Sequence, residues 1–309
     1  MERLDGGSTL PPHLAGGIVA LGNFDGFHLG HQAVIGRALA TARATGRPAI
    51  VATFDPHPVR LFRPDAPPFR LTTLDQRERL FAAAGADAML VLHFDAALAA
   101  LTAEQFVDQR LVATARAGGV VTGEDFTFGK DKGGNVAILA ELGRRHGFSV
   151  ETVGPVSLDG RTVSSSRIRD MLVAGKPREA ARLLTRPWAI EGVVTHGAKL
   201  GRSIGYPTAN IELGNYLRPA YGIYAVRGRL PDGRLIDGAA NLGIRPSFDP
   251  PKELLEPYLF DFSGDLYGQR IEVELIDYLR AEAKFDTLEA LTAQIEADCA
   301  RARQILAAA

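Results

Sequence analysis

The sequence predicts an α/β protein: an N-terminal doubly wound parallel sheet, then a small antiparallel β-barrel domain with a C-terminal helix. Three observations predict it. The chain has 309 residues, more than one ordinary hydrophobic core holds. Up to Val153, strand-length apolar runs alternate with helical patterns, as in a parallel sheet wrapped by helices. After Thr185-Arg186-Pro187, short alternating runs replace the long helices, which suits a barrel. The expected domains are 1–184 and 185–309.

Gly17-Ile18-Val19-Ala20-Leu21 is a short apolar strand, followed by a Gly-rich turn. Gln32 to Thr45 carries Val34, Ile35, Ala38, Leu39 and Ala42 on one helical face, and Gly46 ends it. Pro48 to Phe54 reads as a buried strand. Thr73-Leu74-Asp75-Gln76 is a capping box opening a helix to about Ala84. Ala88 to Phe94 is a strand, and Thr102-Ala103-Glu104-Gln105 caps a helix predicted to reach about Arg116. Gly119 to Thr122, Asn135 to His146 and Phe148 to Val153 continue as strand, helix and strand. In the second half, Lys176-Pro177 to Leu184 is a short helix. Ala189 to Val194, Gly222 to Gly228, Ile236 to Asn241 and Ile271 to Ile276 read as strands, with a hairpin turn at Pro231-Asp232-Gly233. The last helix is capped by Asp286 or Thr287 and carries the apolar stripe Leu288, Leu291, Ile295 and Cys299.

Composition is that of a soluble globular protein. A formal net charge of -1 argues against nucleic acid as the main partner. The single cysteine, Cys299, excludes an internal disulfide and a cysteine-based zinc site. The N-terminus is no signal peptide and no apolar stretch spans a bilayer, so a cytoplasmic protein without membrane contact is expected. The sequence carries no signature of an oligomeric state.

Candidate chemistry lies at the carboxyl ends of the predicted parallel strands, where such sheets bind ligands. Gly22-Asn23-Phe24-Asp25-Gly26-Phe27-His28-Leu29-Gly30-His31 joins the first strand to the first helix. Unpaired N–H groups and the helix dipole suit a phosphate there, and glycines allow close approach. His28 and His31 can donate to phosphate oxygens; the alternative is a tight turn whose histidines cap or pack. Asp55-Pro56-His57-Pro58 follows the second strand, either as part of the site or as a rigid loop. Gly123 to Lys130 follows the fourth. It is not a P-loop, because five residues separate Gly123 from Gly129 and Asp131 follows the lysine. Phe126 and Phe128 lie on one side of an extended segment, flanking a flat ring or packing in the core. Val163-Ser164-Ser165-Ser166-Arg167-Ile168-Arg169 starts a helix, as a plain cap or as a second phosphate cradle. His28, His31 and His57 also permit a transition metal, although no carboxylate–histidine ligand spacing accompanies them.

The ending His28-Leu29-Gly30-His31 resembles the H-x-G-H signature of nucleotidyltransferases that attack the α-phosphate of ATP. With F-D-P-H-P at 54–58, G-E-D-F-T-F-G-K-D at 123–131 and V-S-S-S-R-I-R at 163–169, it resembles the adenylyltransferase module of bacterial bifunctional riboflavin kinase/FAD synthetases. That family usually has I-S-S-T-x-I-R, where this chain has Val163 and Ser166. The resemblance implies ATP and phosphate contacts at Gly22, Asn23, Phe24, Asp25, Ser164, Ser165 and Arg169. It implies flavin contacts at Asp55, His57, Asp125, Phe126 and Phe128.

In the second half, Gly197 to Asn210 holds three glycines and two cations before Pro207-Thr208-Ala209-Asn210. In an extended segment Thr208 and Asn210 point the same way, and a hydroxyl and an amide oxygen are hard ligands suited to Mg²⁺ on ATP phosphates. The alternative is a surface loop leading into a strand. This segment, Asn241 to Phe248 and Asp265-Leu266-Tyr267-Gly268 resemble the riboflavin kinase module of the same family. That implies ATP contacts at Gly197, Lys199, Gly201, Gly205, Pro207, Thr208 and Asn210, and Glu256 as general base for the 5′-hydroxyl of riboflavin. Otherwise Glu256 is an exposed strand-edge carboxylate. Tyr258 stands where the family often has His, and Ser247 where it usually has Thr. The resemblance runs from about Gly17 to the last helix. It implies ATP- and Mg²⁺-dependent conversion of riboflavin to FMN, then adenylyl transfer to FMN giving FAD and pyrophosphate. The alternatives are an FMN adenylyltransferase with a weakened kinase domain, and a non-catalytic flavin-nucleotide-binding regulator.

Overall fold

The computed structural model describes residues 1–196, 205–245 and 251–308. Gly197, Lys199, Gly201 and Ser247 therefore lie outside the described residues. The chain groups into two compact units, Met1–Pro67 with Thr72–Ser164, and Pro68–Leu71 with Ser165–Ala309.

In the first unit, strands β1 (Glu2–Asp5), β2 (Ile18–Leu21), β3 (Ala49–Asp55), β4 (Ala88–His93), β5 (Gly119–Gly123) and β6 (Ser149–Val153) form one sheet. Its order is β1-β4-β3-β2-β5-β6, and every pair is parallel. Helices α1 (Leu29–Thr45), α2 (Pro58–Phe62), α3 (Leu74–Ala84), α4 (Ala96–Ala100), α5 (Ala103–Phe106) and α6 (Val136–His146) connect the strands. Alternate strand residues feed two cores. Val19, Leu21, Ile50 and Ala52 pack with Leu111, Leu139 and Leu142. Ile18, Ala20 and Val51 pack with Val34, Ile35, Ala38 and Phe81. A sheet buried on both faces is what makes the strands read as continuous apolar runs. Strand order reverses between β2 and β5, so the loop after β2 opens at the switch point.

Both predicted capping boxes form, at Thr73/Gln76 and Thr102/Gln105. Three details differ from the sequence expectation. Helix α1 starts at Leu29 rather than Gln32, because His28 supplies the cap. The helix expected to reach Arg116 leaves α geometry after Phe106 and runs as a π-helix over Val107–Thr114. Strand β1 was not expected: Glu-Arg-Leu-Asp is polar and mostly exposed, and only its backbone pairing with β4 makes it a strand.

A short hairpin, β7 (Ser157–Leu158) and β8 (Arg161–Thr162), ends the first unit. The second unit begins with α7 (Ser165–Val173) and α8 (Pro177–Leu184). Strands β9 (Trp188–Val193), β10 (Ile211–Glu212), β11 (Gly222–Arg229), β12 (Leu235–Arg245), β13 (Lys252–Leu259) and β14 (Arg270–Arg280) follow, then α9 (Leu288–Leu306). The antiparallel order is β10-β13-β12-β11-β14-β9. A bridge between Thr195 and Asn210 links the two outer strands and nearly closes the barrel. Helix α8 packs on β9 and β14.

Thr287 is the cap of α9, accepting from the Ala290 N–H at 3.1 Å. The predicted stripe is only partly covered, with Leu291, Ile295 and Cys299 half-buried, and the fully buried part of the helix lies beyond it. Leu288 is 52% exposed, whereas Ala302, Ile305 and Leu306 are buried against Ala225, Ala239 and Phe260. Asp298 is buried beside them and receives Arg280 Nη2 at 2.6 Å and Nε at 3.0 Å. No helix among the described residues is long and apolar enough to cross a membrane.

Removing the Asp298 carboxylate leaves the Arg280 guanidinium without the partner that ties β14 to α9. Asp298→Ala is expected to lower the unfolding free energy of this unit by about 2–3 kcal/mol. Urea unfolding followed by the fluorescence of Trp188, the one tryptophan, checks this; an unchanged midpoint contradicts it.

Candidate active sites

The turn after β2 is shaped by its own side chains. Phe24 and Phe27 take positive φ values of 49° and 47°, and Gly26 takes 92°. Phe24 folds back so closely that a Cβ on Gly22 would stand 3.0 Å from its ring. Asp25 is buried, and its Oδ1 accepts from the Thr72 N–H at 2.9 Å and hydroxyl at 3.2 Å. The same hydroxyl oxygen accepts from the Gly26 N–H at 2.9 Å. Asp25, expected at the phosphates, is thus engaged in holding the turn.

His28 is 5% exposed, and its Nδ1 accepts from the N–H groups of Gly30 (3.1 Å) and His31 (3.4 Å). An accepting Nδ1 puts the neutral ring's proton on Nε2, which makes Nε2 a donor. The His31 ring stacks on it, with centroids 3.6 Å apart, and meets Phe24 edge-on at 5.4 Å. Capping and chemistry, posed as alternatives from the sequence, are here compatible: the cap orients the ring. Gly30 allows this packing, since a Cβ there would lie 3.1 Å from the His28 ring and 3.7 Å from the Val163 carbonyl oxygen. Ser164, beside Val163, is therefore carried to this helix start.

Sequence reasoning missed Arg77. It is buried on α3 and its Nη1 donates to the Asn23 carbonyl (3.2 Å) and the Thr53 hydroxyl (2.8 Å). Its Nη2 lies 3.5 Å from Asp55 Oδ1. One guanidinium thereby fixes the loop after β2 to the carboxyl end of β3. His57 caps α2, with Nδ1 accepting from the Val59 N–H at 3.3 Å. At the end of α2, Phe62 is 68% exposed and meets Phe94 edge-on at 6.0 Å. An apolar residue just beyond a strand's carboxyl end was the signal that could have found it.

Phe128 faces inward. It is buried in the first unit's core and packs against Phe106 at 5.4 Å. It also stacks on Phe126 with centroids 5.6 Å apart, so no third ring fits between them. Phe126 is half-buried, and Asp125 is exposed. Ser165 and Arg169 belong to the second unit, where Arg169 Nε donates to the Phe69 carbonyl at 2.7 Å and its guanidinium lies over the Phe69 ring. Among the described residues no group of three His, Cys, Asp or Glu side chains is placed to hold a metal, which removes the three-histidine alternative.

In the second unit, residues 207–210 reach β10 along the edge of β13. The Ala209 N–H donates to the Pro257 carbonyl at 3.0 Å, and Ile211 pairs with Leu255. That register carries Asn210 across from Glu256. Thr208 is half-buried and Asn210 is buried. Strand β13 was not predicted, because Pro257 and three charges disguise it. Glu256 is not an exposed edge carboxylate: it sits between β12 and β10, opposite Asn241, with about a fifth of its side chain accessible. Tyr258 continues an aromatic run, 5.3 Å from Tyr206 and 5.7 Å from Phe260. Tyr267 of D-L-Y-G stacks against His196 at 3.8 Å. Gly205 has a φ of 87°, and Pro207 is exposed.

Charge is organised around Glu256. Arg245 Nε and Nη2 both donate to its Oε2, while Nη1 donates to Glu282 Oε1 at 3.0 Å. Burial works against the Arg245 charge, but the two carboxylates outweigh it and hold the guanidinium above its ordinary value. Burial and a hydrogen bond to Glu253 push the nearby Tyr221 hydroxyl up to about 12.

Comparison with known proteins bears on both units. Residues 10–167 match the FAD synthetase family and residues 184–306 the riboflavin kinase family. The bifunctional riboflavin kinase/FMN adenylyltransferase of Pseudomonas fluorescens is 40% identical over 99% of this chain and 98% of the relative. The protein of that name from Haemophilus influenzae is 39% identical over 94% of each. A crystal structure described as a macrolide-efflux protein from Streptococcus pneumoniae superposes with a TM-score of 0.86, at 32% identity, over 96% of this chain and 97% of that one. The chain belongs to the bifunctional riboflavin kinase/FMN adenylyltransferase family.

Proposed function

We propose that residues 185–309 phosphorylate riboflavin to FMN with ATP, and that the turn bearing His28 and His31 directs adenylyl transfer from a second ATP to FMN. The boundary between the two activities falls at 184/185, and the enzyme works on small molecules in the cytoplasm. One contact supports the kinase half most: the Ala209–Pro257 hydrogen bond that sets Thr208 and Asn210 beside Glu256.

In the barrel, Glu256 takes the proton of the ribityl 5′-hydroxyl. That oxygen bonds to the γ-phosphorus of ATP, the bond to the β,γ-bridging oxygen breaks, and ADP leaves. The Thr208 hydroxyl and Asn210 amide oxygen fit Mg²⁺, a hard ion that takes one or two protein oxygens and fills its shell with water and phosphate. When bound, the ion neutralises phosphate charge. Gly205 and Pro207, with Gly197, Lys199 and Gly201, complete the ATP contacts.

In the adenylyltransferase, an FMN phosphate oxygen bonds to the α-phosphorus and pyrophosphate leaves. His28 Nε2–H and His31 donate to the charged oxygens, with the backbone of Gly22 to Phe24 and the Ser164 hydroxyl beside them. Ser165 and Arg169 are assigned to the phosphates on their motif alone. Asp55, His57, Asp125, Phe126 and Phe128 are the flavin contacts, and exposed Phe62 adds an apolar surface for the ring. Neither step needs a covalent intermediate; positioning and charge stabilisation carry both. Tyr258 gives the weakened-kinase alternative little support, because it packs in the aromatic run and leaves the register of Glu256 intact.

Glu256→Gln is expected to cut FMN formation by about 10²–10⁴-fold while FAD formation from supplied FMN is retained. His28→Ala is expected to do the reverse, cutting FAD formation by about 10²–10³-fold. Chromatographic product analysis checks both; a folded variant that loses the two activities equally contradicts separate sites. Chelation of divalent ions should stop both steps, with Mg²⁺ restoring them; activity restored by Zn²⁺ alone contradicts the metal assignment. Phe62→Ala should raise the KM for FMN about tenfold in adenylyl transfer and leave the KM for riboflavin unchanged.

A further inference from the structure

Arg245 ends β12, immediately before residues 246–250. Its fork of Nε and Nη2 is turned on Glu256, and its Nη1 donates to Glu282 and to the Ile244 carbonyl at 3.2 Å. The Glu282 carboxylate lies over Gly243, where a Cβ would stand 2.3 Å from Oε1, so a side chain there would displace the Glu282 carboxylate from its present position. Asn241 lies directly across from Glu256, and among the described residues its buried Oδ1 has no hydrogen-bond partner. The polar lining around Glu256 is thus complete on the arginine side and incomplete on the side of Asn241.

This arrangement has a chemical consequence, which rests on Glu256 being the base. A base must lie within hydrogen-bond reach of the attacking oxygen, and that oxygen within near-attack distance of the γ-phosphorus, about 3 Å for each step. A guanidinium bonded to the base therefore stands next to the transferring phosphoryl group. Both Arg245 nitrogens of the fork bind Glu256 Oε2, which engages that oxygen's lone pairs and keeps it from accepting a hydroxyl proton until the fork leaves. A γ-phosphate, which carries more charge than a carboxylate and matches the fork as well, competes for the same two nitrogens. Nη1 has its own partners, so the side chain stays anchored while the fork changes hands.

We propose that Arg245 is a catalytic residue of riboflavin phosphorylation: ATP draws its guanidinium fork from Glu256 to the γ-phosphate, which frees the base and stabilises charge on the phosphoryl group in one movement. Glu282 is the anchor that keeps Arg245 in reach of both positions. The exchange breaks no covalent bond, and the proton still passes from the 5′-hydroxyl to Glu256.

The test is steady-state phosphorylation of riboflavin by the full-length R245A and R245K proteins, with E256Q alongside. R245A is expected to lose about 10²–10³-fold in kcat with the KM for riboflavin within threefold, as for loss of a transition-state donor. R245K, which keeps the charge but not the fork, should fall between R245A and the parent. Thermal melting verifies the barrel, and R245Q replaces R245A if the alanine protein melts early. A kcat within threefold of the parent in R245A or R245Q, with E256Q inactive, overturns the proposal while leaving Glu256 as base. An active E256Q overturns the base assignment, and the proposal with it. A rise in the KM for riboflavin at unchanged kcat assigns Arg245 to substrate binding and also overturns it.

Discussion

The barrel depends on one backbone register. Ile211 pairs with Leu255 and Glu212 with Leu254, and the Ala209 N–H reaches the Pro257 carbonyl at 3.0 Å. In an antiparallel pair, a slip of one residue sends every side chain to the opposite face. Such a slip would separate Glu256 from Asn210 and turn the proposed base away from the residues proposed to hold the metal and phosphates. Buried Leu254, Leu255 and Ile211 hold the register, so the core specifies where the chemistry stands. On the other side β12 pairs with β13 so that Asn241 stands opposite Glu256, and Arg245, which pairs with Lys252, reaches Glu256 along the strand with its long side chain.

The parallel sheet solves the same positioning problem with a helix start. His28 cannot cap α1 without turning Nδ1 inward, and that choice of tautomer leaves Nε2 as the donor. His31 is placed one turn on, stacked upon it. Asp25 and Arg77, both buried, tie the turn to Thr72 and to the end of β3. Buried charged groups thus hold the turn, and the atoms proposed to meet the ligand, such as His28 Nε2, are those left over.

How much of this is legible in the sequence follows from burial. Strands β2, β3 and β4 are covered on both faces and read as apolar runs, and the capping boxes are local chemistry, so the parallel half and its helices could be read directly. Polar β1 and proline-bearing β13 are strands only because a neighbour pairs with them, and no local pattern reports that. Spacing placed Phe126 and Phe128 on one side of their segment but could not say whether that side met a ligand or the core, where Phe128 lies. Motif residues such as His28, Thr208 and Glu256 were visible because they cluster in sequence. Arg77 and Arg245 act on residues 54 and 11 positions away, and a contact of that kind needs the fold.

The central claim is that register brings the Thr208–Asn210 segment and Glu256 to one reacting centre. A crystal structure with riboflavin, Mg²⁺ and a non-hydrolysable ATP analogue measures it directly. The expected result is a Glu256 carboxylate oxygen about 3 Å from the ribityl 5′-oxygen, with Thr208 and Asn210 at the metal and phosphates. Riboflavin bound with its 5′-hydroxyl away from Glu256, or phosphates that never approach Thr208 and Asn210, would contradict it.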